Sequence, residues 1–202
     1  MRILVVCTAN ICRSPAAEQL LRVRLRDAGV PPGDVVVTSA GTHAVEGARR
    51  CPRSHELLTR YVADVDDSAW SAGSTRLTAD LLRDADLVLT ASREVRAAAV
   101  RTLPGSQART FTLRQAARIA SALMAEGLPT VVPLPAATDV RGRLRWLVNE
   151  FDAARLPVED PLDDDVPDPH VVGDAAHEPA MSLMADAVAT IADAVAVVLS
   201  QP

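Results

Sequence analysis

The chain has 202 residues, of which 49% are hydrophobic, and its formal net charge is −5. This length supports one hydrophobic core of ordinary size, so we expect a single domain over residues 1–202. The negative charge excludes the strongly basic composition of nucleic-acid-binding domains, so no nucleic-acid partner is expected.

The first three predicted elements form a βαβ unit. Residues 2–6 are a continuous apolar run rich in β-branched side chains, which predicts a strand buried on both faces. Apolar residues recur at helical spacing over 15–27, with Pro15 in the first turn, and a second strand is predicted at 35–38. About thirty residues separate the two strands, which is the span of one crossover connection and predicts parallel pairing.

Strands and helices continue to alternate beyond a surface region at 42–74, which contains one short predicted helix at 54–61. The remaining predicted strands are 86–90 and 109–113, and the remaining predicted helices are 78–83, 93–102, 114–125, 140–155 and 181–199. Residues 114–157 are an elaborated helical region, and an acidic, proline-containing loop covers 158–173. The alternation predicts an α/β fold, namely an open four-stranded parallel sheet of order 2-1-3-4 with helices on both faces in three αβα layers.

Cysteine content and the start of the chain bear on location. The three cysteines, Cys7, Cys12 and Cys51, are odd in number and lack the spacing of a disulfide scaffold, which predicts a reducing cytoplasm. Only five consecutive apolar residues precede Thr8, too few for a signal-peptide core or a membrane span. We therefore expect a cytoplasmic protein without a membrane partner.

The segment between the first strand and the first helix has the features of an anion site. Loops at the carboxyl ends of parallel strands are where α/β folds place ligands, and such a loop can turn consecutive N–H groups towards an anion. Arg13 would add a planar guanidinium that binds two phosphate oxygens. The residues predicted to bind phosphate are Thr8, Ala9, Asn10, Ile11, Cys12 and Arg13.

Cys7 lies at the end of the first predicted strand, directly before this loop. An environment that holds phosphate also favours a thiolate, so Cys7 is predicted to be a nucleophile near neutral pH. Ser14 is predicted to donate a hydrogen bond to its sulfur, and Asn10 to support the loop, because asparagine tolerates left-handed backbone conformations. A cysteine at a strand end is more often a small buried side chain, but the flanking elements together with Asn10, Ser14 and Pro15 favour catalysis.

Residues 7–14 resemble the phosphate-binding loop of the low-molecular-weight protein tyrosine phosphatases, whose pattern is Cys, five residues, Arg and Ser. Two further matches are the Ser-Ala-Gly-Thr run at 39–42 and the pair Asp168-Pro169. The resemblance implies a phosphocysteine intermediate on Cys7, with Asp168 as general acid. Asp160 also precedes a proline and is the competing candidate, and without the loop motif the acidic segment would be interpreted as a solvated surface loop.

The same resemblance bears on two further features. In related phosphatases a cysteine at the position of Cys12 forms a reversible disulfide that protects the nucleophile, although a small buried residue is an equal alternative. Cys51 has no predicted role. Relatives that act on phosphotyrosine usually carry aromatic residues where this chain has Val45 and His170, so phosphotyrosine is expected from the family alone. Ile11 resembles the tyrosine-directed loop, since arginine-phosphate-directed relatives tend to have Thr there.

We therefore expect hydrolysis of a phosphomonoester, on a phosphorylated protein or a small molecule, with no cofactor. One alternative is arsenate-reductase-like thiol chemistry, for which relatives carry a cysteine pair that residues 80–100 lack. Another is a weakly catalytic module that binds phosphopeptides or other anions. No metal site is expected, because no histidine has cysteine or carboxylate partners at zinc-ligand spacing. The histidines are His43, His55, His170 and His177.

Overall fold

A computed structural model of the chain describes residues 1–127, 133–155 and 158–201. These residues contain a sheet of four parallel strands: β1 (Arg2–Cys7), β2 (Val36–Gly41), β3 (Leu87–Thr90) and β4 (Thr110–Thr112). The strand order is β2-β1-β3-β4, with Cys7 opposite Gly41 and Val6 opposite Thr90. The predicted α/β class and strand order are confirmed.

Helices cover both faces of this sheet. The α-helices are α1 (Arg13–Asp27), α2 (Pro52–Leu58), α3 (Asp67–Ser71), α4 (Ala79–Asp84), α5 (Arg93–Thr102), α6 (Leu113–Glu126), α7 (Val140–Ala153), α8 (Pro169–Val172) and α9 (His177–Ser200). Short 3-10 helices cover Pro104–Arg109, Pro161–Asp164 and Asp174–Ala176.

The alternating side chains of β1 explain the three layers. Ile3 and Val5 belong to the larger core, which also contains buried residues of α1, α6, α7 and α9. Leu4 and Val6 belong to a smaller core with residues of α4 and α5 on the opposite face. Because successive side chains of a strand point to opposite faces, a strand buried on both sides must be apolar at every position, as residues 3–6 are.

Several boundaries differ from the predicted ones. The strand predicted at 35–38 continues to Gly41, because its last three residues pair with 5–7 of β1. The helix predicted at 15–27 begins at Arg13, and the one predicted at 181–199 begins at His177. The helix α3 was not predicted; Asp66 caps it by accepting the Ala69 N–H at 3.0 Å.

The elaborated region 114–157 supplies α6 and α7, while its residues 128–132 and 156–157 lie outside the described ones. Asp86, directly before β3, ties α7 to the sheet. Its carboxylate accepts the Arg2 N–H at 2.9 Å and the Arg141 guanidinium at 3.1 Å. Burial alone would raise the pKa of Asp86, but the Arg2 N–H and the Arg141 guanidinium outweigh that effect and the pKa is lowered.

The last helix packs against α1 and α6 on the larger-core face. Among the described residues, Asp174–Ser200 is the segment with the length and hydropathy, 1.8 on average, of a membrane span. Half of its most apolar window is buried inside the protein. A helix at the centre of a core meets the same criteria, so this property carries no membrane assignment.

Candidate active site

The predicted loop lies at the carboxyl end of β1, between β2 and β3. Cys7 ends the strand and Arg13 begins α1, so residues 8–12 make the whole turn. Gly41 approaches this turn closely, since a Cβ at Gly41 would lie 2.7 Å from Asn10 N and 2.8 Å from Thr8 O. The end of β2 therefore requires glycine to support the loop.

The carbonyl groups of the loop accept hydrogen bonds from outside it. The Cys7 carbonyl accepts the Thr42 N–H at 3.0 Å, and the Thr8 carbonyl accepts the His43 N–H at 2.8 Å. The Ile11 carbonyl accepts the Cys51 N–H at 2.7 Å, and the Cys12 carbonyl accepts the Ala16 N–H at 3.3 Å. In a trans peptide the N–H points opposite to the C=O, and no cis peptide is present among the described residues. The N–H groups of 8, 9, 12 and 13 therefore point away from these partners, which is consistent with an anion site inside the loop.

The Cys7 sulfur lies inside this loop, and the residue is 2% exposed. The Ser14 hydroxyl donates to the sulfur at 3.0 Å, and the Asn10 N–H donates to it at 3.2 Å. Both donors stabilise negative charge on sulfur more than they stabilise a neutral thiol. The predicted Ser14 hydrogen bond is present.

Asn10 holds the loop in shape. Apart from glycines, Asn10 is the one described residue whose backbone φ is positive, at 54°. Its side-chain NH₂ donates to Ser14 Oγ and to Ser39 Oγ, both at 2.8 Å, and its Oδ1 accepts the Thr75 N–H at 2.8 Å. Each polar atom of this buried amide is therefore hydrogen-bonded, and these bonds tie the loop to Ser39 and to Thr75.

Arg13 joins the loop to the late acidic segment. Its Nη2 donates to Thr8 Oγ1 at 3.1 Å and to Asp168 Oδ2, and its Nη1 donates to the Val166 carbonyl at 3.1 Å. The Arg13 side chain is 4% exposed and that of Asp168 is 22% exposed. Residues 155 positions apart in the chain thus meet at the phosphate loop.

The competing aspartate has a different role. Asp160 caps the 3-10 helix Pro161–Asp164 by accepting the Leu162 N–H at 2.9 Å. Of the two Asp-Pro pairs, the one at Asp168 contacts Arg13. The acidic segment is also anchored rather than freely solvated, because the Val166 N–H donates to the Ala91 carbonyl at 2.8 Å.

A cleft of about 600 Å³ opens over the loop, and both Arg13 and Asp168 line it. The aliphatic part of its lining includes Val95, Leu162, Val171 and Val172, and charged residues such as Glu94 and Arg101 also line it. The two positions expected to form the walls are not among its lining residues. Val45 is 73% exposed, and the side chain of His170 lies near His177 instead. Sequence reasoning therefore missed the wall residues, of which Val171 and Val172 follow Asp168 by three and four positions.

Comparison with known proteins gives the family. Residues 2–128 match the family model described as low molecular weight phosphotyrosine protein phosphatase. The chain belongs to this family. The match includes the phosphate loop and all four strands, and it ends before the segment that contains Asp168.

Curated members of the family match over shorter stretches. A probable low molecular weight protein-tyrosine-phosphatase, EpsP of Ralstonia solanacearum, is 40% identical over 87 residues, which are 43% of this chain and 52% of that protein. The phosphatase Etp of Escherichia coli K12 is 38% identical over 92 residues, 46% of this chain and 55% of that protein. The chain thus spans about half the length of the curated relatives it matches.

Solved structures extend the likeness of fold over almost the whole chain. The tyrosine phosphatase AmsI of Erwinia amylovora has a TM-score of 0.62 at 21% identity, covering 96% of this chain and 91% of that one. The arginine phosphatase YwlE of Geobacillus stearothermophilus has a TM-score of 0.58 at 22% identity, covering 95% and 90%. At this identity the likeness concerns the fold alone.

In this family member, the second layer of the site includes polar residues that the loop motif did not identify. Ser39 Oγ donates to Glu18 Oε2 at 2.5 Å, and Glu18 pairs with Arg22 at 2.7 Å. A chain of hydrogen bonds therefore runs from the Cys7 sulfur through Ser14, Asn10 and Ser39 to α1. The sequence feature that could have indicated these residues is Glu18, because it is an acidic residue among the apolar positions of the predicted helix.

The two other cysteines of this phosphatase-family chain lie behind the loop. Cys12 Sγ is 2.7 Å from Ser54 Oγ, and Cys51 Sγ is 3.4 Å from His177 Nε2. Burial raises the pKa of Cys12 to about 12, although the Ser54 hydrogen bond opposes the shift. Ligand atoms of Cys12, Cys51, His170 and His177 all lie within 4.8 Å of one another. Spacing along the sequence did not reveal this group, because the two cysteines and the two histidines lie in distant parts of the chain.

Proposed function

We propose that the chain hydrolyses phosphomonoesters, with protein phosphotyrosine as the substrate class, through a phosphocysteine intermediate on Cys7. The observation that carries this proposal is the convergence of three groups on one cleft. The Cys7 sulfur lies within the loop, Arg13 lines the cleft above it, and Asp168 meets Arg13 at the cleft wall. A nucleophile, an anion-binding cation and a proton donor are the groups that this reaction needs.

In the first step the phosphate is held by the inward N–H groups of the loop and by the Arg13 guanidinium. The Cys7 thiolate attacks phosphorus, and the bond between phosphorus and the leaving oxygen breaks. Asp168 gives its proton to that oxygen, so the alcohol leaves in neutral form. The N–H groups and the guanidinium stabilise the charge that spreads over the equatorial oxygens.

In the second step water hydrolyses the phosphocysteine. The Asp168 carboxylate, deprotonated by the first step, accepts a proton from the attacking water, and the Cys7 thiolate is the leaving group. The hydrogen bonds from Ser14 and Asn10 stabilise that thiolate as it leaves. Inorganic phosphate is released, and no cofactor is required.

The contact between Arg13 and Asp168 links substrate binding to proton transfer. Nη2 of Arg13 donates to Asp168, so a bound phosphate competes with the carboxylate for this donor. When the guanidinium turns to the phosphate oxygens, the Asp168 carboxyl is free to face the leaving oxygen. Substrate binding therefore prepares the acid for its task.

The substrate class rests on the cleft walls and on the names of the relatives. Aliphatic side chains such as Val95, Leu162 and Val171 form an apolar surface for the part of the substrate that carries the phosphate. An aryl group buries apolar area there. Curated relatives are named protein-tyrosine phosphatases. A cytoplasmic location fits three free cysteines, of which the proposed nucleophile must stay reduced.

Cys12 is proposed as a redox partner of the nucleophile. Peroxide oxidises the Cys7 thiolate to a sulfenic acid, which condenses with the Cys12 thiol to a disulfide and releases water. A thiol then restores both cysteines. The disulfide protects Cys7 from irreversible oxidation. The test is a peroxide pulse followed by dithiothreitol: the unmodified chain should recover its activity, and Cys12→Ala should not.

The function is tested by assay of the purified chain with p-nitrophenyl phosphate, a phosphotyrosine peptide and phosphoarginine at mildly acidic pH. We expect turnover of the two aryl phosphates and none with Cys7→Ser. Asp160→Asn is a matched control for Asp168→Asn, because both residues precede a proline and only Asp168 contacts Arg13. Tight phosphopeptide binding without turnover by the unmodified chain would instead favour a binding module.

A further inference from the structure

A group of four metal-binding side chains lies behind the phosphate loop. Cys12 belongs to the loop, Cys51 directly precedes α2, His170 is in α8 and His177 begins α9. One ligand atom from each lies within 4.8 Å of the other three. Cys12, Cys51 and His177 are buried and His170 is exposed, so the group is closed on the protein side and open towards solvent.

We propose that Cys12, Cys51, His170 and His177 bind a Zn²⁺ ion in a tetrahedral site. Bonds of about 2.3 Å to sulfur and about 2.0 Å to nitrogen place tetrahedral ligand atoms about 3.3 to 3.8 Å apart. The 3.4 Å separation of Cys51 Sγ and His177 Nε2 already meets this requirement. The remaining separations, within 4.8 Å, need to shorten by about 1 to 1.5 Å at most, which side-chain rotation supplies.

The hydrogen bonding of His177 prepares it as a ligand. Its Nδ1 is 2.9 Å from the Asp174 carbonyl, which can only accept, so the ring proton is on Nδ1. Nε2 therefore presents its lone pair, and it faces the Cys51 sulfur. The Asp174 carboxylate, 3.2 Å from the same Nδ1, adds a second acceptor. A zinc-binding histidine characteristically donates its other N–H to a carbonyl or carboxylate in this way.

The two cysteines are also held by neighbouring groups. The Ser54 hydroxyl, 2.7 Å from Cys12 Sγ, can donate to a zinc-bound thiolate. The Cys51 N–H donates to the Ile11 carbonyl at 2.7 Å, which fixes Cys51 against the loop. On binding, each thiol releases its proton to solvent and each sulfur forms a bond to zinc.

The set of ligands selects the metal. Two thiolates and two imidazoles in tetrahedral arrangement suit Zn²⁺, whereas Mg²⁺ and Ca²⁺ require oxygen ligands. The exposed His170 provides the side from which the ion enters. Cys7 is not among the ligands, so zinc binding is a separate property from the proposed hydrolysis. Either proposal can fail without contradicting the other.

The ion would connect two parts of the active site. Cys12 directly precedes Arg13, and His170 follows Asp168 by two residues. A bond from zinc to each of them holds the Asp168 segment against the phosphate loop, through an attachment additional to the Arg13 contact. Zinc also occupies the Cys12 sulfur, so a zinc-loaded chain cannot form the disulfide between Cys7 and Cys12.

The test uses the full, reduced chain after removal of metals with a chelator. Titration with Co²⁺ should give the absorption of tetrahedral cobalt with sulfur-to-metal charge transfer, saturating at one ion per chain. Zn²⁺ should displace the cobalt, and competition with a chromophoric chelator gives its affinity. Loss of a ligand should weaken Zn²⁺ binding more than about 100-fold, since loss of an outer-shell partner alone costs 10- to 100-fold.

Five variants separate the site from general damage. Cys51→Ser and His177→Ala remove buried ligands, and His170→Ala removes the exposed ligand, whose truncation leaves the core intact. Cys7→Ser should keep both the cobalt spectrum and the zinc affinity while losing hydrolysis. His43→Ala, outside the group, should bind Zn²⁺ as the unmodified chain does.

The proposal is overturned if the reduced, unmodified chain shows no tetrahedral cobalt spectrum. It is equally overturned if His170→Ala and Cys51→Ser both bind Zn²⁺ as tightly as the unmodified chain. Loss of metal binding in Cys7→Ser would place the ion at the nucleophile and would also contradict the assignment. A folded His170→Ala chain with weakened zinc binding, measured beside an unchanged His43→Ala chain, supports it.

Discussion

Replacement of Asn10 by alanine should destabilise the chain strongly, because the Asn10 side chain is the centre of the loop's hydrogen bonding. Its amide is bonded to Ser14, Ser39 and the Thr75 N–H. Each such bond contributes about 1 kcal/mol net. Alanine at a φ of 54° adds a strain of about 1 kcal/mol. We therefore expect Asn10→Ala to lower the free energy of unfolding by about 4 kcal/mol.

A matched variant separates these two contributions. Asn10→Gly loses the same hydrogen bonds but adopts a positive φ without strain, so it should be more stable than Asn10→Ala by about 1 kcal/mol. Urea denaturation followed by fluorescence gives both values, because Trp70 and Trp146 are buried and report on unfolding. Turnover should also fall in both variants, since Ser14 loses the group that orients its hydroxyl towards Cys7. A loss below about 1 kcal/mol, or an alanine variant as stable as the glycine variant, would refute the reasoning.

Three further outcomes follow from contacts described above. Asp168→Asn should lower kcat with aryl phosphates by about 100-fold or more, while kcat of Asp160→Asn stays within about twofold of the unmodified chain. Equal losses of kcat in the two variants would contradict the assignment of Asp168 as the general acid. Gly41→Ala should lower stability by about 1 to 3 kcal/mol in urea denaturation and reduce turnover, because its Cβ meets the loop backbone; unchanged values would contradict the close approach. The pKa of Asp86 is lowered on folding, so its stabilisation is complete above the ordinary aspartate pKa and is lost as pH falls through the lowered value. Asp86→Ala should therefore cost about 1 to 3 kcal/mol at pH 7 and progressively less in acid, and a cost independent of pH would be inconsistent with this.

The fold followed from local patterns because each pattern concerned neighbouring residues. The apolar run at 2–6 indicated a strand buried on both faces, 86–90 was predicted as a further strand, and the structure has β1 and β3 there. Helical periodicity over 93–102 predicted α5 to the residue. Periodicity does not define ends well, so the prediction missed the extension of β2 to Gly41, which depends on its pairing with β1.

The site was predictable where it is local and unpredictable where it is tertiary. The loop residues from Cys7 to Ser14 are contiguous, so their residue types indicated an anion site and a nucleophile before any contact was known. The pairing of Arg13 with Asp168 joins distant segments and was not predicted, because the family resemblance gave Asp168 only the role of general acid. The aliphatic cleft walls had no local signal, because they depend on how the acidic loop docks on the end of β3.

The metal-binding group illustrates the same limit. Cys51 and His177 are 126 residues apart, and each alone resembles an ordinary buried side chain. Their meeting depends on the packing of α9 beside α2 on one face of the sheet. Ligands contributed by four separate segments leave no motif in the sequence, which is why the histidines were expected to bind no metal.

The central claim is that the Cys7 sulfur carries the phosphoryl group during turnover. Rapid acid quench of the chain with p-nitrophenyl phosphate, followed by peptide mass spectrometry, tests it most directly. The account predicts a phosphoryl group on the peptide that contains Cys7, located on that residue rather than on Cys12, and absent from Cys7→Ser. Continued turnover by Cys7→Ser, or a phosphoryl group on any other residue of the unmodified chain, would contradict it.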